Sequence, residues 1–450
     1  MIQEKQEGPK NYFKIPFGMK TNMWLLLLPL SAINFFLPEE VFYVLMIALL
    51  IIGTLNDKAV YYNSSFLMML PLILLVALGM VRGMGDVNKD YVRDVIIFSK
   101  NIVYILGGIA LGKYIKDFNT FFKYFFILAF IGSLYHIGTF AAHIHEATSL
   151  ESIRFYAGYE NVVEAVTLAI LVSRKVNKDF RKIVEELPRH STIMIMVIGL
   201  SFLLYFSRTM IVVLFVLSFF LCNIVYIRKI FSKQNAKVFK ALIFAVVGFY
   251  LIVLIASLGP SDSPLQRLVV KFEDIPQEVS WDAKRNASAT LDDINDNWRG
   301  YEAYQGLLKY YSGTDLQKTL GYGFSAKIDL NIIMKLAGQD YDKVPVLHNE
   351  YVTLLVKTGW VGLVLYLAFL YMFGMSKINY TREEHPQIYY SYQMLSGMSI
   401  VSLLNTYIGF GLLGIGAAAL PLIIGFFWGN IERHKRAVIE MPAFDFVGTV

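Results

Sequence analysis

Runs of about twenty mostly apolar residues recur along nearly the whole chain, and they limit the fold before any other feature does. A helix needs roughly 20 such residues to cross the hydrocarbon core of a bilayer. It also satisfies its own backbone hydrogen bonds where no water is present to do so. The runs give about twelve spans, centred near residues 23–37, 40–55, 65–82, 94–112, 121–142, 160–173, 190–206, 209–227, 239–258, 350–374, 388–406 and 408–428. Composition agrees: 56% of the 450 residues are hydrophobic and 17% are charged, where a soluble chain carries roughly 25% charged residues. The expected fold is an all-α integral membrane protein, which excludes a soluble enzyme with a hydrophobic tail. Residues 1–258 carry the first nine spans, 259–349 form one long loop with short helices, and 350–450 carry the last three spans and a tail.

The formal net charge of +6 would suggest nucleic acid in a soluble protein. Here the excess sits in short connections, so it reports orientation: cytoplasmic loops are enriched in Lys and Arg. The connection at 174–190 holds Arg174, Lys175, Lys178, Arg181, Lys182 and Arg189, and that at 228–240 holds Arg228, Lys229, Lys233, Lys237 and Lys240. Twelve spans with both termini cytoplasmic put these connections, the N-terminal lysines and the tail Arg433, Lys435 and Arg436 on one face. The long loop then lies on the other. The single cysteine, Cys222, excludes an intramolecular disulfide. The first span reads as an uncleaved signal anchor, because no small-residue cleavage site follows it.

A loop of this length between two spans is unusual without a role. Pro260, Pro264 and Pro276 mark irregular chain near its start, Trp298 to Tyr311 suits an interfacial helix, and Tyr322-Gly323 within LGYGF is a turn signal. The loop closes on His348-Asn349-Glu350-Tyr351, where an ionisable group meets an apolar span. Groups at that position are costly and point to function. An imidazole there can move a proton near neutral pH, although a histidine that only caps the helix would look the same.

Three arginines lie on the side that basic residues usually avoid: Arg154 in RFYAGYEN, Arg208 in YFSRTM and Arg299 in DNWRGYEAY. A guanidinium presents five donors in a planar fork that fits phosphate oxygens, so the three together suit a diphosphate. Each could also simply snorkel to lipid headgroups. Glu160 and Asn161, just after Arg154, are expected to line the same cavity. Two further clusters are expected not to bind metal. Asp292, Asp293 and Asp296 form a DDxxD spacing, but it occurs once, in a polar loop beside Arg299. His136, His143 and His145 lack a carboxylate or cysteine set to complete a site.

These residues together resemble the O-antigen ligase and polymerase superfamily of bacterial membrane glycosyltransferases. The resemblance rests on LGYGF at 320–324 and HNEYVTLLVKTGWVGL at 348–363, on Arg154, Gly158 and Asn161, on the Ser207-Arg208 turn, and on Arg299. Lys357-Thr358 departs from it, since an acidic residue often precedes this glycine in the family. The resemblance implies a GT-C-type fold in the bacterial inner membrane with a periplasmic site. It implies inverting, metal-independent transfer of a glycan from undecaprenyl diphosphate to an acceptor hydroxyl such as that of lipid A–core, with no cofactor. His348, Arg208 and Arg299 would be catalytic. Arg154, Glu160, Asn161, Asn349 and Tyr322 would bind substrate. Gly359 and Gly362 would let a neighbouring helix approach closely. A polysaccharide polymerase and a protein O-oligosaccharyltransferase remain open alternatives within the class. A secondary transporter is the alternative outside it, although that class shows related halves and mid-membrane charges.

Overall fold

Apolar helices account for most of the computed structural model, which describes residues 39–56, 63–115, 118–146, 156, 161–188, 190–205, 207–222, 294, 297–336, 339–375, 382, 384–408, 411–413 and 418–440. The expected spans at 23–37 and 239–258, the basic connection at 228–240, and Arg154, Glu160, Asp292, Asp293 and Asp296 lie outside the described residues. In chain order the helices are α1 (Glu39–Asn56), α2 (Asn63–Gly83), α3 (Lys89–Tyr114), α4 (Phe118–Ala142), α5 (Val162–Val176), α6 (Lys178–Ile183), α7 (Ser191–Leu204) and α8 (Arg208–Leu221). The loop segment contributes α9 (Trp298–Ser312), α10 (Asp315–Leu320) and two strands, β1 (Ile328–Leu336) and β2 (Gln339–Val344). The chain ends in α11 (Glu350–Gly374), α12 (Pro386–Ile408) and α13 (Ala419–Glu440). Four stretches, Phe66–Asp86, Lys89–Lys113, Phe118–Ala142 and Glu350–Gly374, are long and apolar enough to cross a membrane, and Ser191–Leu204 and Thr209–Leu221 are shorter apolar helices.

α3 and α13 pack more closely than any side chain would allow. A Cβ on Gly108 would lie 2.1 Å from the Leu422 carbonyl oxygen, and one on Gly112 would lie 2.2 Å from that of Phe426. From the other side, a Cβ on Gly425 would meet the Ile105 oxygen at 2.1 Å and one on Gly429 the Ile109 oxygen at 2.3 Å. Each helix thus offers a small-xxx-small pair to the other, which allows the backbones to touch where lipid gives no hydrophobic drive.

The chain contacts fix which connections share an end of the bundle. Arg382, between α11 and α12, pairs with Asp179 at 3.1 Å, and Asn119 at the start of α4 accepts the Glu186 amide at 3.4 Å. Arg433 bonds the Gly112 carbonyl at 3.4 Å. The α2–α3 turn and the segment at 321–327 meet at the opposite end, as described below. α8 runs antiparallel to α12: Asn177 bonds both the Leu221 carbonyl and the Tyr390 hydroxyl at 2.9 Å, and a Cβ on Gly397 would meet Leu217 at 2.9 Å.

Two expectations need correction. The last span does not run over 408–428; the helix begins at Ala419 and continues to Glu440. Gly411, before it, serves another purpose. The Leu413 amide donates to Glu350 Oε2 at 3.3 Å, and a Cβ on Gly411 would lie 2.7 Å from the same oxygen. The loop, for its part, is not built from helices alone. Ile328, Leu330 and Ile332 alternate with polar residues and turn to one face of an antiparallel hairpin. They join Ala303, Leu307, Val344, Leu347, Val352 and Val356 in a small apolar cluster between α9, the hairpin and the start of α11.

Candidate functional site

The loop segment is wedged into the bundle by its glycines. Gly359 breaks α11 with a φ of 67°, and a Cβ there would lie 2.3 Å from the Thr319 carbonyl oxygen. The break leaves the carbonyls of Val356 and Lys357 without their usual helical donors. The amides of Tyr322 and Gly323 take those places at 2.8 and 2.9 Å, and the Phe324 amide bonds the Gly79 carbonyl of α2 at 3.0 Å. Gly321 (φ 77°) and Gly323 (φ 95°) adopt left-handed backbone that favours glycine. Phe324 fills a slot opened by Gly79 and Gly83 and packs on Phe98 with ring centroids 4.9 Å apart. The expectation that Gly359 and Gly362 let a neighbouring helix approach closely holds at Gly359, which α10 approaches; the nearest atoms to a Cβ on Gly362 belong to Thr358 of its own helix.

Charge completes the lock. Asp90 and Asp94 stand one turn apart on α3, and Asp86 lies in the turn just before it. Asp86 accepts the Ser325 hydroxyl at 2.9 Å, Asp90 pairs with Lys327 at 2.7 Å, and Asp94 accepts the Ser325 amide at 2.9 Å and pairs with Lys357. Arg82 donates through Nε and Nη2 to the Gly321 carbonyl at 3.3 Å.

On this base α9 is held against α11. Tyr301 donates to the Leu330 carbonyl at 2.7 Å, and Gly306 allows Val352 and Leu347 to close on the helix. Arg299 and Glu302 stand one turn apart on α9. Glu302 is buried, and its Oε2 lies 2.7 Å from His348 Nδ1 and accepts from the His348 amide at 3.2 Å. The residues around His348 are fixed too. The Leu347 amide bonds Thr353 Oγ1 at 3.0 Å, Asn349 Oδ1 caps α11 by accepting the Val352 amide at 3.3 Å, and Tyr351 bonds the Leu403 carbonyl of α12 at 2.8 Å. The His348 side chain keeps 32% exposure, enough for a reactant to reach its ring edge.

A protein-family model for O-antigen ligase matches residues 193–367. This stretch is similar to an O-antigen ligase domain. No curated protein matches the chain. The domain runs from α7 to the middle of α11, and it contains Arg208, Arg299, Tyr322, His348 and Asn349; Arg154, Glu160 and Asn161 precede it. An O-antigen ligase domain implies a glycosyltransferase-like membrane enzyme that acts on lipid-linked glycans.

Within the O-antigen ligase domain the structure joins His348 to α9, the helix of Arg299. Arg208 opens α8, capped by Ser207, whose hydroxyl accepts the Met210 amide at 3.4 Å. Because α8 is antiparallel to α12 and Tyr351 reaches Leu403, the starts of α8 and α11 lie at the same end of α12. Tyr322 serves the loop: its hydroxyl bonds the Lys309 carbonyl at 2.8 Å and its ring lies 5.0 Å from the Lys309 ammonium, whose pKa is lowered by burial. Asn161 belongs to a separate buried cluster. Its amide donates to Glu164 at 3.1 Å, and Glu164 also holds Ser133, Ser201 and His136 at 2.7 to 2.9 Å. His143 instead stacks on Tyr156. Among the described residues no three His, Cys, Asp or Glu side chains are grouped as a metal would need. The sequence reading missed Glu302. Its one signal was a carboxylate three residues after Arg299 on the same helical face.

Proposed function

We propose that this protein moves a glycan from a lipid diphosphate to an acceptor hydroxyl, with lipid A–core as the acceptor. The acceptor oxygen attacks the anomeric carbon and the bond from that carbon to the phosphate oxygen breaks with inversion. The diphosphate leaves on its lipid, and the hydroxyl proton passes to His348. A diphosphate is already a good leaving group, so charge stabilisation and positioning are the main tasks. Arg208 and Arg299 hold the departing diphosphate with Arg154 beside them, and Glu160 and Asn349 line the approach. The observation that carries this reading is the part-exposed imidazole of His348, seated against the Arg299 helix inside the O-antigen ligase domain. The test is transfer from an undecaprenyl-diphosphate-linked glycan by the purified protein, offered lipid A–core, a second carrier-linked glycan or a protein in separate reactions, each with and without EDTA. Transfer to lipid A–core that resists chelation and falls by about 10²–10⁴-fold in His348→Ala supports the reading. Full activity in His348→Ala overturns it, and transfer only to one of the other acceptors reassigns the substrate.

A further inference from the structure

We propose that Glu302 is a positioning residue for His348, holding the Nδ1 proton so that Nε2 is the nitrogen that receives the acceptor's proton. The inference rests on the reading of His348 as the proton acceptor. An ionised carboxylate only accepts hydrogen bonds, so a neutral ring 2.7 Å from Glu302 Oε2 carries its proton on Nδ1. The lone pair that can take a proton is then on Nε2. The same oxygen takes the His348 amide at 3.2 Å, so ring and backbone are fixed by one atom and the ring cannot turn over without losing the contact. When the ring becomes an imidazolium, the contact becomes a charge-assisted pair, which is stronger than its neutral counterpart. A side chain that fixes the tautomer of a base and then answers its charge acts on the step itself. The hairpin is held through Tyr301 and through Gln305, which accepts from Asn331 at 2.9 Å, and the α11 cap through Asn349.

The experiment uses the full-length protein in detergent with a lipid-diphosphate-linked glycan donor. Imidazole nitrogen NMR of histidine-labelled protein reads the tautomer directly, the His348 signal being the one that disappears in His348→Ala. Wild type should show the Nδ1-protonated ring. A ring protonated on Nε2 in wild type overturns the proposal with no substitution needed. Glu302→Gln keeps an oxygen that the fixed backbone amide orients, so the tautomer should persist while kcat falls about tenfold for loss of the charge. Glu302→Ala should mix the tautomers and lower kcat by roughly 10²-fold or more with an unchanged KM for the donor. Unaltered kcat and tautomer in Glu302→Ala, alongside an inactive His348→Ala, sink the Glu302 role alone. A fully active His348→Ala sinks the base reading instead, so the two failures are distinguishable.

Discussion

Asp94 and Lys357 meet inside the bundle as an ion pair with neither side chain exposed, across 263 residues of sequence. The structure accounts for the lysine: it answers Asp94 on α3 and bonds the Ala326 carbonyl at 3.1 Å, at the foot of the wedge that carries the loop. Removing one member of a buried pair leaves a charge without a partner and costs about 3–5 kcal/mol. Lys357→Met is expected to destabilise the protein by that amount in denaturant unfolding. Asp94→Asn combined with Lys357→Met should recover most of the loss. Unchanged stability in Lys357→Met alone would remove the pair from the account.

Gly359 tests the wedge from the backbone side. Gly359→Ala puts a Cβ 2.3 Å from a carbonyl oxygen at a φ of 67°, and strain of this kind costs on the order of 1–3 kcal/mol. The outer segment should become more sensitive to protease, and transfer should fall with it. Gly362→Ala meets Thr358 Oγ1 at 1.9 Å and Thr358 Cβ at 2.3 Å, but without the positive φ of Gly359, so it lacks the added backbone strain and should be milder. Equal effects at the two positions would contradict the role given to the break in α11.

Arg208→Lys and Arg299→Lys keep the charge and lose the planar fork. Both are expected to accumulate normally and lose most transfer activity, with Arg154→Lys less affected. Measured rates close to wild type in either lysine variant would leave that arginine as a headgroup anchor.

Orientation can be read with introduced cysteines, because the one native thiol, Cys222, is buried. Positions 182, where the lysine is exposed, and 235 should be shielded from an impermeant thiol reagent in intact cells, and positions 150 and 285 should react. The Asp179–Arg382 contact links the first of these to the connection after α11. Labelling at 235 from outside would reverse the whole assignment.

The apolar runs were legible because lipid imposes a length and a composition on any helix that crosses it. Every expected span from 40–55 to 388–406 that falls among the described residues coincides with a helix. His348 stood out because an ionisable group meets the start of a span, and Arg299 because the expected orientation puts it on the side that basic residues usually avoid. Glu302 did not, since its meaning comes from a partner 46 residues away that only the packing of α9 on α11 brings near. The hairpin was hidden by its shortness, and the start of α13 by glycines as apolar as the helix that follows them. Asn161 and Tyr322 read in the sequence as polar residues of the site, and the structure gives both to other contacts. Their hydrogen bonds, to Glu164 and to Lys309, depend on helices that no local pattern identifies.

The glycine seam between α3 and α13 has a consequence for how the protein is made. Gly112 and its partner Arg433 are 321 residues apart, so at the usual pace of synthesis α3 is in the bilayer on the order of half a minute before α13 emerges. During that interval its flat glycine face is open to any other helix with small residues, and Asp94 still awaits Lys357. The order in which the ribosome delivers the helices, rather than the strength of their final contact, sets how long the seam is exposed to the wrong partner.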